Sequence, residues 1–350
     1  MKKFKLSLLI LFALISSLSK SQDYSLYYDL INEAEERFVE DRDSSCYAKF
    51  DQAFESFEPF LKDPYIAAQI ALHLGDTNRF YHYLTICFQN GMPITALNSS
   101  PLISNSIIDR EIISEIFDKT YNAKQVDTKT MEDICLKCYQ SDSIKMVMEN
   151  DFELNQLFYR NEDQTRQYLL DNFLVNGKFP NERLIGISSD KIFKDFYANN
   201  KYPNIYLKTT GSTGYKNEEY DLRAKCPFNI VLHSKCFYRT NRDFFLTAMR
   251  NGYIHPKEIG ILEETSIIWH FNSTHPTEKC TRPSEKICYN IYGYNPMHPE
   301  IKTFTNTAEG LLQVEANRKE IFMQKYSIDV QKKQLENDLG IKFFFDFKDR

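Results

Sequence analysis

The stretch DPYIAAQIALHLGDTNRFYHYLTICFQNG, residues 63–91, carries the pattern that decides the fold. Asp63 followed by Pro64 is typical of the start of a helix, because proline is tolerated in the first turn. Apolar residues then recur at helical spacing as far as Gly75, and the next two residues can begin another helix that ends at Gly91. The stretch therefore predicts two helices joined by a tight turn.

The residues before this stretch predict a second pair of helices. Leu26, Leu30, Ala34 and Phe38 recur at helical spacing, and a serine pair that can cap the next helix follows. Over residues 23–92 this order resembles tetratricopeptide-type helical hairpins. The resemblance implies a platform that contacts a protein or peptide partner, and an ordinary helical bundle fits the pattern equally well.

The rest of the chain also favours helices. Residues 93–150 continue the helical pattern, and the later residues alternate amphipathic helices with irregular loops. Only 11 of the 350 residues are glycine, which argues against many tight β-hairpins. We predict a mostly α protein, in which a solenoid-like array of helical hairpins over residues 22–150 precedes a helical domain with little strand over residues 151–350.

The first 21 residues predict a signal peptide. Lys2, Lys3 and Lys5 precede an apolar stretch of about 13 residues, which is too short to span a bilayer. Cleavage after Ser21 would remove four lysines and no acid, so the net charge would change from −5 to −9. We therefore expect an exported, periplasmic or secreted protein with no later membrane span and no nucleic-acid partner. A buried helix or a retained anchor is the alternative.

Eight cysteines are an even number, which predicts disulfides in an exported chain. The nearest pairs in sequence, Cys226–Cys236 and Cys280–Cys288, are the first candidates. Zinc binding by these cysteines and nearby histidines is a weaker alternative, because the spacing matches no common zinc module. The C-x-x-C at residues 135–138 lacks the βαβ setting of a redox protein. No metal or cofactor is predicted.

The C-terminal half carries several short motifs in a fixed order. They are Asp163-Gln164-Thr165-Arg166, a turn at 179–186, an apolar run that ends in His233, and the segments 260–264, 290–295 and 317–318. In this order they resemble an uncharacterised bacterial family, domain of unknown function 6624, over about residues 151–330. The chain departs from the family pattern at Leu232, Glu264 and Thr265, and Tyr294 and Asn295, so any site of the family is altered here.

These motifs supply the candidate site residues. The candidate catalytic residues are His233, Asp163, Glu264 and Tyr292, and the candidate binding residues are Gln164, Arg166, Asn295 and Arg318. A histidine at the end of an apolar run can transfer protons near neutral pH, and two arginines can clamp an anion. A core histidine and ordinary salt bridges are the alternatives. The sequence favours a binding or interaction module, with a hydrolase-like enzyme as the alternative, and leaves open whether any reaction is catalysed.

Overall fold

A computed structural model describes residues 23–121, 152–187, 222–232, 235–268 and 307–345, with residues 127, 129–131, 133, 134 and 137 between the first two ranges. These residues form helices and contain no strand, which confirms the mostly α fold. Within the same ranges, no helix is both long enough and apolar enough to cross a membrane. The predicted signal peptide lies outside the described residues.

Four helices build the N-terminal part. They are α1 Ser25–Asp41, α2 Tyr47–Ser56, α3 Lys62–His73 and α4 Thr77–Gln89. α1 packs against α2 and α3 packs against α4, in the predicted order. Asp76 caps α4 by accepting a hydrogen bond from the Arg79 amide at 3.0 Å. Neither serine caps α2, because both belong to a 3₁₀ turn at Ser44–Cys46 that Asp43 caps, and no side chain caps α2 itself.

The start of α3 differs from the prediction. The helix begins at Lys62, so Asp63 lies inside the first turn and does not cap it. The Asp63 side chain is fully buried, where its carboxylate accepts hydrogen bonds from the Tyr27 hydroxyl at 2.5 Å and the Lys62 ammonium at 2.7 Å. Asp63 therefore ties α3 to α1, and this contact could not be read from local sequence.

Further helices and 3₁₀ turns follow before the C-terminal bundle. They are the 3₁₀ turn Ile94–Ser99, α5 Pro101–Asn105, α6 Arg110–Thr120, α7 Phe152–Asn172, the 3₁₀ turn Leu174–Asn176 and α8 Glu182–Ile185. The C-terminal helices are α9 Lys225–Leu232, α10 Lys235–Thr240, α11 Arg242–Arg250, α12 Pro256–Ile268, α13 Ala308–Glu320 and α14 Tyr326–Leu339.

One hydrophobic core passes through both predicted regions. The buried Tyr28 of α1 places its hydroxyl 2.7 Å from the Met249 carbonyl oxygen and 3.0 Å from that of Ile254. The Tyr24 amide donates to the Arg250 carbonyl at 2.8 Å. Helix α1 is therefore packed into the C-terminal bundle, and cavities near it can draw on side chains from both parts of the chain.

The chain after α14 docks onto the N-terminal helices as an extended segment. Gln69 of α3 exchanges two hydrogen bonds with the backbone of Lys342, at 2.7 and 3.1 Å. The Glu336 carboxylate accepts hydrogen bonds from the amides of Phe343 and Phe344, at 2.9 and 2.8 Å. Residues 341–345 therefore form a docked tail.

The cysteines do not form the first predicted pair. The structure does not join Cys226 to Cys236, so the predicted Cys226–Cys236 bond is wrong. The thiols of Cys46 and Cys87 are not in disulfides, and both are buried. Burial raises the pKa of Cys46 to about 12, which keeps the thiol protonated and unreactive. The predicted pair Cys280–Cys288 lies outside the described residues.

Candidate functional site

Helix α7 turns the two charged residues of its motif in different directions. The Arg166 side chain is only 4% exposed, whereas the Asp163 side chain is 52% exposed. Arg166 donates to Asp163 at 2.6 Å and to the buried Glu162 at 3.2 Å. Gln164 is exposed. The charge of Arg166 is therefore matched by two carboxylates of its own helix.

Two other predicted site residues, Glu264 and Arg318, lie on later helices. Glu264 is buried on α12. Arg318 is buried near the end of α13, where it donates to the Gln324 carbonyl at 2.6 Å and pairs with the Asp329 carboxylate. Both arginines of the predicted anion clamp are thus paired within the protein.

Three of the predicted site residues are His233, Tyr292 and Asn295. All three lie outside the described residues. Their convergence with Asp163 and Glu264 stays a prediction, as does the acid–base role of His233.

The structure reveals a cavity of about 70 Å³ that sequence reasoning missed. We call it the central cavity. Its walls come from α1, α8, α14 and the docked tail, from the starts of α3 and α12, from Arg223 just before α9, and from the turn between α13 and α14. The ionisable side chains other than tyrosine that line it are Glu35, Lys62, Asp63, Glu182, Arg223, His255, Lys257, Glu258, Asp329 and Lys332. Such a concentration of ionisable groups around a cavity is typical of a functional site.

One face of α1 forms the first wall. Tyr27, Tyr28, Ile31, Asn32 and Glu35 line the cavity, and their spacing of three or four residues places them on adjacent turns of one face. Most of this face is apolar, and Glu35 is 3% exposed. An acidic side chain thus interrupts an otherwise core-forming stripe.

Asn32 connects this wall to the turn between α13 and α14. Its side-chain amide donates to the Phe322 carbonyl at 2.8 Å, and the Gln324 side-chain amide donates to the Asn32 carbonyl at 3.0 Å. Because the side-chain nitrogen of Gln324 donates to Asn32, the orientation of the whole Gln324 side-chain amide is fixed, including its oxygen.

A buried ion network forms the second wall. The Lys332 ammonium lies 2.7 Å from Glu35 and 3.3 Å from Asp329, and Asp329 also pairs with Arg318. Burial on its own would raise the pKa of Asp329, but the Lys332 and Arg318 charges outweigh it and hold that pKa well below its usual range. Burial likewise opposes the charge of Lys332, yet Glu35 and Asp329 raise its pKa. Asp329 and Lys332 are therefore both ionised at neutral pH.

The third wall surrounds the start of α12. Arg223 lies 3.4 Å from Glu258, and the second carboxylate oxygen of Glu258 accepts from the His255 amide at 3.2 Å. Burial raises the pKa of Glu258 despite the Arg223 charge, and burial lowers the pKa of His255 well below its usual value. Burial, reinforced by Glu258, raises the pKa of Glu182 to about 7. This wall therefore holds a neutral histidine and a carboxyl that changes charge near neutral pH.

Aromatic side chains line much of the remaining cavity surface. They are Phe60, Phe322, Phe343, Phe344 and Phe345, and the Lys257 ammonium lies 3.9 Å from the centre of the Phe344 ring. The docked tail supplies three of these rings, so the tail is part of the cavity wall. A molecule inside the cavity would meet both charged groups and apolar rings.

Four polar atoms on the cavity walls have no hydrogen-bond partner among the described residues. They are Oε1 of Glu35, Oε1 of Gln324, and Nε and Nη2 of Arg223. The three residues are 3%, 6% and 8% exposed. A buried polar atom without a partner costs about 1–3 kcal/mol, so three such residues on one cavity are unusual for a purely structural core.

The sequence does contain a signal for part of this site. Glu35 lies four residues after Ile31 and three before Phe38, which places an acid on the apolar stripe of α1. Lys332 lies four residues after Ile328 and three before Leu335, so a base occupies the apolar stripe of α14 in the same way. Arg223 and Glu182 have no such periodic context and could not be found from sequence alone.

Comparisons with known proteins do not assign the chain to a family. No protein-family model matches it, and neither the curated proteins nor the solved structures contain a match. The resemblance to domain of unknown function 6624 and the tetratricopeptide-like pattern therefore stay predictions, and the function has to be argued from the site.

Replacing Glu182 by glutamine is expected to change how stability depends on pH. Because the pKa of Glu182 is about 7 in the folded protein and about 4.5 when unfolded, the folded state retains a proton that the unfolded state releases between these values. The contribution of Glu182 to the stability of the wild-type protein is therefore lost as the pH rises from about 4.5 to about 7.

Glutamine does not titrate, so the substituted protein lacks this loss of stability. Relative to wild type, Glu182→Gln should gain about 3 kcal/mol between pH 4.5 and pH 7.5, measured as the free energy of unfolding in urea. Taking the difference between the two proteins removes the opposing contribution of His255. The exposed Glu55→Gln serves as the control and should show a pH-independent difference. An equally flat difference for Glu182→Gln would contradict the assignment.

Proposed function

We propose that this protein is a binding protein that encloses a small polar molecule in the central cavity. The observation that carries the proposal is the set of buried, unpartnered atoms of Glu35, Gln324 and Arg223 on its walls. A ligand that supplies hydrogen bonds to these atoms recovers the free energy that their burial costs. Perturbed ionisable groups around this one cavity support the same conclusion.

The dimensions of the cavity support a small ligand. In this measure a single water molecule needs roughly 10–15 Å³, so about 70 Å³ accommodates about five water-sized groups. Most of the lining side chains are buried, and the tail residues Phe343 and Phe344 close one side. A molecule of a few heavy atoms fits this space, whereas a peptide or a polymer does not.

The other two functions predicted from the sequence have less support. A peptide platform on residues 23–92 requires several exposed apolar side chains. Within that range, the exposed large hydrophobic side chain is Leu26. The hydrolase alternative requires available arginines, and Arg166 and Arg318 are each paired with carboxylates. Both functions stay predictions.

Thermal unfolding in the presence of small polar compounds tests the proposal. A panel of organic acids, amines, amino acids, polyols and inorganic anions should contain at least one compound that stabilises the wild-type protein. The stabilisation should reach about 2.7 kcal/mol at a concentration 100 times its dissociation constant.

Filling the cavity should abolish this effect. Ile261 lines the cavity from α12, so Ile261→Phe should remove the stabilisation by the compound. Ile259 is equally buried on the same helix but does not line the cavity, so Ile259→Phe is the matched control and should retain it. Equal responses of the two variants, or no response of wild type to any compound, would refute the proposal.

A further inference from the structure

The chemistry of the cavity walls identifies a class of ligand, and this inference rests on the proposed binding function. The unpartnered atoms fall into two kinds. Arg223 offers two N–H donors, at Nε and Nη2, and Glu35 and Gln324 offer two oxygen acceptors. A ligand that satisfies all of them must carry an acceptor group and a separate donor group.

Arg223 favours a carboxylate as the acceptor group. Its Nε and Nη2 atoms form one edge of the planar guanidinium, and that edge matches the two oxygens of a carboxylate. Its contact with Glu258 uses the Nη1 atom and is 3.4 Å long, whereas strong charge-assisted hydrogen bonds are about 2.7–2.9 Å. Arg223 therefore has both the geometry and the remaining capacity to hold a second carboxylate.

Glu35 and Gln324 favour an ammonium as the donor group. Both unpartnered atoms are acceptors, one of them an oxygen of a charged carboxylate whose other oxygen is already bonded to Lys332. An ammonium has three N–H donors on one atom, so it can donate to both oxygens at once.

The charge balance of the lining excludes a large net charge on the ligand. The cations are Lys62, Arg223, Lys257 and Lys332, and the carboxyls are Glu35, Asp63, Glu182, Glu258 and Asp329. Since the two signs are nearly balanced, a ligand with a net charge would leave that charge uncompensated in a buried space, at a high cost in free energy. A ligand that carries one charge of each sign preserves the balance.

We infer that the central cavity binds a small zwitterionic amino acid. Its carboxylate lies on the Nε–Nη2 edge of Arg223, and its ammonium donates to the side-chain oxygens of Glu35 and Gln324. The surrounding rings of Phe60 and Phe344 contact the apolar part of the ligand, and the cavity volume limits that part to a few carbon atoms.

Calorimetric titration with zwitterions and with analogues that carry one charge tests this inference. The zwitterions are glycine, L-alanine, β-alanine, L-valine and γ-aminobutyrate, and the analogues are propionate, isobutyrate, ethylamine and isopropylamine. At least one zwitterion should bind ten-fold or more tightly than every analogue. An analogue that binds as tightly as the best zwitterion, or the failure of all five zwitterions to bind, would overturn the inference.

Two substitutions locate the charges of the ligand. Arg223→Gln and Gln324→Met should each weaken binding of the zwitterion by ten-fold or more, while the exposed control Arg250→Gln should leave it unchanged. Retained affinity in both cavity variants would also overturn the inference. If another compound stabilises wild type but not Ile261→Phe, the cavity is still a binding site and only the amino-acid assignment fails. If no compound does so, the proposed function itself fails.

Discussion

Replacing Lys332 with methionine is expected to lower the free energy of unfolding by about 3–5 kcal/mol at neutral pH. The Lys332 side chain is 7% exposed and holds the carboxylates of Glu35 and Asp329 in the wall of the central cavity. Asp329 retains Arg318 after the substitution, but Glu35 is left buried with no cation beside it. The large loss comes from this uncompensated charge rather than from the lost attraction itself.

The neighbouring residue provides a matched control. Lys333 lies on the same helix and is 55% exposed, so Lys333→Met should change the free energy of unfolding by about 0.5 kcal/mol or less. Urea denaturation of both variants makes the comparison. Equal losses would contradict the account of the buried network.

A double substitution separates the charge from the packing. In a protein with Glu35→Met as well as Lys332→Met, the buried carboxylate that lost its cation is also gone, so most of the lost stability should return. If the double variant is as unstable as the sum of the single variants, Lys332 acts through packing and not through Glu35.

Replacing Gly252 with alanine is expected to lower the free energy of unfolding by about 3 kcal/mol. Gly252 has a φ of +76°, a conformation that costs about 1–2 kcal/mol for a residue with a side chain. A Cβ at this position would lie 2.6 Å from atoms of the Tyr24 ring, and the resulting overpacking adds about 1–3 kcal/mol. The effect measures how closely the first helix approaches the loop after α11.

Gly75 isolates the backbone contribution. It has a nearly identical φ of +75°, but a Cβ there meets no atom within 4 Å. Gly75→Ala should therefore show only the backbone cost, and thermal or urea unfolding should rank it well above Gly252→Ala in stability. In a Tyr24→Ala background the two alanine substitutions should cost the same, and a persistent difference would argue against this contact.

The helices were predictable from sequence because their signals are local. Asp76 at the start of α4, the glycines at 75 and 91 and the apolar spacing of α1 act within a few residues of each other. The error at Asp63 has the opposite origin. A partner 36 residues away, the Tyr27 hydroxyl, draws the carboxylate into the core, and no local rule reports that contact.

The central cavity was not predictable for the same physical reason. Glu35, Arg223 and Gln324 belong to three elements that are distant in sequence, and only tertiary packing brings them to one cavity. The motifs that carry the family resemblance led instead to α7, where Arg166 faces inward but is paired by Glu162 and Asp163. A charged residue on an apolar helical stripe, as at Glu35 and Lys332, is the one pattern that pointed toward the site.

The central claim is that the cavity between α1, α12 and α14 binds a small zwitterion. A crystal structure of the wild-type protein, grown in a saturating concentration of the tightest amino acid, tests this claim most directly. We predict electron density of the amino acid in the cavity, with its carboxylate within about 3 Å of Nε and Nη2 of Arg223 and its ammonium beside Glu35 and Gln324. A cavity that holds only ordered water, or an amino acid bound elsewhere on the protein, would contradict the account.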